Sequence, residues 1–302
     1  MSVSNVAASV RQRLLNRARE RGEDYQVLLT RYALERFLYR ISQSARREQF
    51  VLKGAYAFVV WHGESHRMTR DLDLLGFGTP RIEVLAEVFR DICKVDVVDD
   101  GVVFDAESVA IRLIRDQAEY DGVRAKLTAH VDTARLPLQV DVGFGDVVTP
   151  KPLETTFPSL LGFPAPLIRA YPRESVVAEK LHSIVLLGMA NSRIKDYYDI
   201  WYLCQHFAFE GALLSEAISA TFERRGFMIP EQRPLGLSER FASDTQKQQQ
   251  WNAFLRNVRE EHRDISLVDI VRVVGAFLLP LLDALRSGES VAHHWSPGGP
   301  WK

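Results

Sequence analysis

The segment Asp71-Leu72-Asp73-Leu74-Leu75 constrains this chain most, because its polar and apolar residues alternate with the period of a β-strand and both polar residues are acids. Strand geometry sends Leu72 and Leu74 to one face and Asp71 and Asp73 to the other, so the leucines can be buried while the carboxylates share one site. Two carboxylates a few ångströms apart repel by roughly 4 kcal/mol at an effective dielectric near ~20; without a cation, one of them tends to take up a proton. A divalent cation removes that conflict. Hard oxygen donors at this spacing suit Mg²⁺, which keeps several waters and takes the rest of its shell from one or two carboxylates and substrate phosphates.

Upstream, Phe50, Val51 and Leu52 form a short buried-strand run, Gly54 breaks it after Lys53, and Ala55 to Trp61 has the length of two helical turns. A helix N-terminus after a glycine turn is an anion seat. An anion seat beside a Mg²⁺ seat points to a nucleoside triphosphate. Asp-x-Asp alone is common on solvated strand faces, and it is the Lys53-Gly54 turn that raises the metal reading to equal standing.

At 302 residues the chain is long enough for two domains. Its formal net charge of -1 gives no whole-molecule basic field, so a nucleic-acid partner would have to be met by a local patch. Cys93 and Cys204, both on apolar helix faces, argue for a reducing compartment and against a disulfide framework. The opening MSVSNVAASVRQRLL lacks an apolar signal core, and the late apolar run Val273 to Leu282 is too short to span a bilayer and contains Pro280. A cytoplasmic location with no membrane partner is expected.

In chain order, Val6 to Arg21 reads as a basic amphipathic helix, with Leu14 and Ala18 on one stripe and Arg11, Arg13, Arg17, Arg19 and Arg21 around the rest. These arginines suit a solvated surface or an RNA-contacting stripe. Tyr25 to about Ser44 is a second helix, ending at Arg46 and Arg47. Residues 76–80 read as a loop, and Arg81 to Lys94 as a helix with Ile82, Leu85, Phe89 and Ile92 docking on the sheet. Strands are expected at Val102 to Phe104, Val109 to Ile114, Val123 to Val131 and Leu136 to Phe144, with Asp121-Gly122 as a turn. The last strand alternates in the same sense as residues 71–75, with Gln139, Asp141 and Gly143 on its polar side. If the two strands pair, Asp141 is a third carboxylate on the metal face; otherwise it faces solvent.

The proline-rich stretch Pro150 to Pro172 reads as a linker or edge, with the domain boundary near Ala165. Expected units are 1–165 with the two N-terminal helices, a helical domain over 166–287, and a disordered tail over 288–302. Helices are expected at Arg173 to Gly188, through ANSRIKDYYDIWYLCQHF, and at Leu213 to Arg224, Gln246 to Glu260 and Leu267 to Arg286, with a loop over Glu231 to Lys247. Lys180 lies three and four residues from Val176, Val177 and Ile184, so it abuts the apolar stripe; it is either a snorkelling surface lysine or an inward, phosphate-directed ammonium. Asp196 falls in the first turn of its helix, ordinarily a capping and dipole position.

The series ERFLYRIS, FVLKGAYAF, HRMTRDLDLLGFG, LQVDVGF, YPRESVVAEKLHSI and NSRIKDYYDIW, in this order over roughly Arg31 to Phe207, resembles the nucleotidyltransferase-like AbiEii/AbiGii toxin family. The resemblance implies an α+β fold, with a DNA polymerase β-like nucleotidyltransferase domain followed by an all-helical C-terminal domain. The superfamily's small-residue turn, Asp-x-Asp/Glu pair and third acid fall on Gly54, on Asp71 and Asp73, and on Asp141. The family's later lysine and aspartate motifs look like Lys180 and Asp196. Two departures stand out: Ala55 occupies a position usually Gly or Ser, leaving only backbone donors for phosphate, and the segment from the turn to Asp71 is slightly long.

With the residue reading, this implies a nucleotidyltransferase using Mg²⁺ or Mn²⁺ and an NTP. Asp71 and Asp73 would hold the metals, and Asp141 would position the metal that activates the acceptor. Lys53, Gly54, Ala55, Arg67 and Lys180 would contact the nucleotide, and Asp196 would orient Lys180 or take the acceptor proton. The family further implies a toxin with a cognate antitoxin and an RNA acceptor such as the tRNA 3′ end. Adenylylation of a small molecule or protein, or an inert binding module on the same fold, are the alternatives.

Overall fold

The computed structural model describes residues 5–78, 81–115, 121–289 and 291–302. The chain divides into two units, residues 1–145 with 153–170, and residues 146–152 with 171–302. The first unit ends at Ala170, and a short earlier segment belongs to the second unit.

In the first unit, α1 (Val6–Arg21) begins where the Asn5 side chain accepts the Ala8 N–H at 3.0 Å and ends at Gly22, whose left-handed φ of 65° lets its N–H reach the Ala18 carbonyl. It buries Val10, Leu14 and Ala18. Its arginines form neither a uniformly solvated face nor an open stripe. Arg11 meets Asp132 at 2.7 Å, Arg21 meets Glu64 at 2.9 Å, Arg17 donates to the Leu160 carbonyl at 2.9 Å, and Arg13 donates to the Leu161 carbonyl. The helix is stapled to its own unit. Next, α2 (Tyr25–Gln43) carries a buried polar set: Glu35 pairs with Arg36 and accepts the Leu160 N–H at 2.8 Å, while Arg40 pairs with Asp100 at 2.5 Å.

After these come β1 (Phe50–Lys53), α3 (Ala55–His62), β2 (Asp71–Gly76), α4 (Ile82–Cys93), β3 (Val103–Arg115), β4 (Asp121–Val131), β5 (Ala134–Phe144), β6 (Leu153–Thr156) and β7 (Leu167–Ala170). All seven strands join one mixed sheet in the order β3-β4-β5-β2-β1-β7-β6. The sheet's apolar face meets α1, α2 and α4 in one core, where Phe37 lies 5.7 Å from Phe89 and 5.4 Å from Phe104, centroid to centroid. Each such fully buried side chain contributes about 1.5–3 kcal/mol.

Three expectations change here. Asp121 and Gly122 pair with Arg115 and Ile114 as strand residues instead of turning, because β3 and β4 run on beyond their apolar centres. Gly76 ends β2 with Phe77 and Gly78 outside any element, while Thr79 and Pro80 lie outside the described residues. Part of the proline-rich stretch is itself sheet: β7 pairs parallel with β1, and β6 forms the sheet edge.

The second unit contains α5 (Arg173–Leu187), α6 (Ile194–His206), β8 (Phe209–Glu210), α7 (Gly211–Arg224), α8 (Glu239–Ser243), α9 (Thr245–Phe254), α10 (Leu267–Ser287) and β9 (His294–Trp295). The expected loop over Glu231 to Lys247 instead holds α8, started by a Ser238 side chain that accepts the Phe241 N–H, and the beginning of α9. After α9 stops at Phe254, short 3₁₀ turns replace the expected continuation to Glu260. The expected disordered tail is ordered over 291–302. There β9 pairs with β8, Trp295 is buried, and the Trp301 ring stacks on Phe277 at 5.6 Å. Two large aromatic rings outweigh the Gly and Pro residues around them. No described helix is long and apolar enough to cross a membrane.

Candidate active site

Antiparallel pairing of β1 with β2 sets Lys53 opposite Asp73, which brings the next residue, Gly54, against the Asp73 carboxylate. Gly54 has φ 66° and ψ -154°, a conformation that L side chains rarely adopt, and a Cβ built there would stand 1.9 Å from Asp73 Oδ2. The turn and the acid are therefore one construction. Gly54 is also the N-cap of α3 and has no side chain to cap its first turn, while the Ala57 N–H donates to the Gly54 carbonyl at 3.2 Å.

Parallel pairing of β2 with β5 sets Asp71 opposite Gln139 and Asp73 opposite Asp141. The third carboxylate is thus on the metal-facing side, and Asp71, Asp73 and Asp141 each offer an oxygen within 4.8 Å of the others. At that separation each pair repels by about 3 kcal/mol at an effective dielectric of ~20. Part of the repulsion is offset by Arg124 on β4, which lies opposite Asp141 in register and forks onto it, Nε to Oδ1 at 2.8 Å and Nη2 to Oδ2 at 2.7 Å. The carboxylate in turn raises the Arg124 pKa, chiefly through these hydrogen bonds. Thr69 donates to Asp71 Oδ1 at 2.7 Å, and Gln139 donates to Asp141 Oδ2 at 3.2 Å.

The three carboxylates are half-buried and the donor set they offer is entirely hard oxygen. The residues fit a divalent cation of the Mg²⁺ or Mn²⁺ type. The motifs did not reveal Arg124, since an arginine at an alternate strand position reads as solvated until its register is known. Arg67 lies half-buried between α3 and β2, with Nη1 3.5 Å from the Met68 carbonyl, and Lys53 and Ala55 flank Gly54.

In the second unit Lys180 and Asp196 come together. Lys180 on α5 is 11% exposed and points inward, its Nζ 2.7 Å from Asp196 and 2.7 Å from Asp199, both on α6 and fully buried. Arg193 Nε holds the other Asp196 oxygen at 2.7 Å. Burial pushes the Asp196 pKa up, but the charges of Lys180 and Arg193 more than offset it, and the net shift is down. Asp199 is the acid that the motifs do not mark, although its spacing of three from Asp196 places both on one helical face.

Over residues 36–278 the chain matches the profile of a family described as the nucleotidyl transferase AbiEii toxin of the type IV toxin–antitoxin system. No curated protein matches it. Among solved structures it is similar to a candidate nucleotidyltransferase from H. pylori, with a TM-score of 0.51 and 13% identity over 88% of this chain and 99% of that one. It is also similar to JHP933 from Helicobacter pylori, with a TM-score of 0.50 and 11% identity over 88% of this chain and 95% of that one. At these identities the two structures speak to the fold, and both agree with the α+β architecture.

Proposed function

The chain belongs to the AbiEii nucleotidyl transferase toxin family of type IV toxin–antitoxin systems, and we propose that its reaction is metal-dependent transfer of a nucleoside monophosphate from an NTP to a hydroxyl of an RNA acceptor such as the tRNA 3′ end. Nucleotidyl transfer, an NTP substrate, a divalent metal and an antitoxin partner are what the family implies. The choice of Mg²⁺ and of RNA is our own reading. The observation that carries metal-dependent transfer is the triad of carboxylates within 4.8 Å, set against a glycine turn that opens a helix.

Asp71, Asp73 and Asp141 would hold the metal, which when bound would neutralise charge on the phosphates and lower the pKa of the acceptor hydroxyl. The backbone N–H groups after Gly54, with Lys53 and Arg67, steady the triphosphate. The acceptor oxygen attacks the α-phosphorus, the bond from that phosphorus to the β-bridging oxygen breaks, its electron pair leaves with pyrophosphate, and the hydroxyl proton passes to water. The resemblance gives Lys180 a phosphate-directed role. Of the two roles read for Asp196, orienting Lys180 is favoured by its engaged oxygens and lowered pKa.

The test is incubation with each α-labelled NTP, Mg²⁺ and total RNA. Label in RNA and its loss with Asp73→Asn, by at least about a hundredfold, are expected. Label appearing only on protein or a small molecule would move the acceptor to that class, and no NTP binding at all would make the chain an inert module.

A further inference from the structure

The sheet face that carries the triad continues beyond it as a basic platform. Register places Asp73, Asp141, Arg124 and Arg112 side by side on β2, β5, β4 and β3, and a second row runs Asp71, Gln139, Lys126 and Ala110. Strands ~4.8 Å apart put Arg112 about 14 Å from Asp73. Arg70, Arg112 and Lys126 are exposed. Where β3 bulges between Asp105 and Ala110, Ser108 Oγ accepts the Thr128 N–H at 2.8 Å, and beside it opens a cavity of about 400 Å³. It is lined by Arg70, Asp71, Ser108, Lys126, Thr128 and Gln139 among others, so one triad acid forms its wall and two cations stand over it. That volume lies in the range that holds a small organic ligand, here about one nucleotide.

The position of this cavity relative to the glycine turn decides what it takes. In phosphoryl transfer the attacking and leaving oxygens lie roughly in line on opposite sides of the phosphorus. Gly54 follows β1, on one side of the triad, whereas the cavity lies over β4 and β5 on the other. With pyrophosphate leaving toward the glycine turn, the acceptor enters from the cavity side. Three exposed cations, Arg70, Arg112 and Lys126, suit a chain of phosphates better than a single anion. No Phe, Tyr or Trp of the described residues stands on this face of β3 to β5, which leaves backbone recognition without base stacking.

We propose that the cavity over β4 and β5 and the Arg112, Lys126 and Arg70 platform form the track on which a single-stranded polynucleotide acceptor lies by its phosphodiester backbone, with little preference for sequence. This rests on the nucleotidyl-transfer reading for its direction, but not for the binding itself.

The test is fluorescence anisotropy of a short unstructured RNA oligonucleotide against the full chain over a salt series, with Mg-NTP binding measured in parallel. Lys126→Ala and Arg112→Ala are each expected to flatten the log–log salt slope by about 0.7, the double variant to bind RNA about tenfold more weakly, and Lys126→Arg to restore binding. Mg-NTP affinity and the melting temperature should stay at wild-type values, since both side chains are exposed. Wild-type RNA affinity in the double variant overturns the track, even if label still reaches RNA. A wild-type chain that binds no RNA yet labels a protein also overturns it, while leaving nucleotidyl transfer intact. RNA binding that depends on Lys126 without any NTP binding would keep the track and sink the transfer reading.

Discussion

At Gly54 a hydrogen is the largest side chain the site admits. The positive φ and the Asp73 oxygen 1.9 Å from a built Cβ act together, so Gly54→Ala should cost about 2 kcal/mol of stability and push Asp73 out of place. Urea unfolding and single-turnover transfer check this; an alanine variant with wild-type transfer would separate the turn from the acid. Arg124 makes the opposite case. Its fork occupies both oxygens of Asp141, so it competes with a cation for the same lone pairs. Arg124→Ala should tighten Mn²⁺ binding about fivefold, roughly 1 kcal/mol for a partly exposed pair, as read by titration calorimetry without nucleotide. Unchanged or weaker Mn²⁺ binding would show that the guanidinium shapes the carboxylate instead of competing for it. The three acids were legible because strand alternation is a local property; Arg124 was not, because its partner is set by a register between strands that composition does not encode.

At the scale of elements, the same division recurs. Helices with strong apolar stripes, α1, α2 and α4, lie within a residue or so of their expected bounds, and the β2–β5 pairing agrees with their shared alternation. What short-range pattern could not show was tertiary use: the α1 arginines turned onto their own unit, β8 and β9 paired across some eighty residues, and α8 folded inside a polar stretch. The α5–α6 pair gives the sharpest test. Lys180 is a shared counter-ion of Asp196 and Asp199, which are 0% and 1% exposed, so Lys180→Met takes a cation from two buried acids and should destabilise the second unit by about 3–5 kcal/mol. A rate loss in that variant would not by itself mark a phosphate contact. Lys180→Met with Asp199→Asn keeps Arg193 against Asp196 and removes one acid with the cation, so it should recover much of the stability. If the recovered protein still transfers about a hundredfold more slowly, ~3 kcal/mol, the ammonium acts on substrate; a wild-type rate would make Lys180 purely structural.

Over the whole chain, a formal net charge of -1 leaves little global field to drive acid unfolding near neutrality, so the pH response is set by particular buried groups. His182 on α5 is the clearest. Arg225 Nη1 donates to its Nδ1 at 3.1 Å, which leaves the ring proton on a buried Nε2, and Arg225 is itself held by Asp146 at 2.9 Å. Burial first, and the guanidinium second, lower the His182 pKa from 6.5 to about 4. The folded chain therefore keeps the ring neutral where the unfolded chain takes up a proton. Its contribution to stability is complete above pH 6.5, falls as the pH drops from 6.5 to about 4, and is constant below that. His262, lowered chiefly by burial, acts in the same sense, and Glu35, raised chiefly by burial, acts in the opposite one. Only a difference experiment isolates His182. His182→Gln retains an acceptor for Arg225 but cannot titrate, so its melting temperature should fall several degrees less than that of the wild type between pH 7 and about 4.5, the two curves converging in slope below about 4. Parallel melting curves across the whole range would mean that the ring takes up its proton at the same pH in the folded and the unfolded chain, so that neither burial nor Arg225 shifts it.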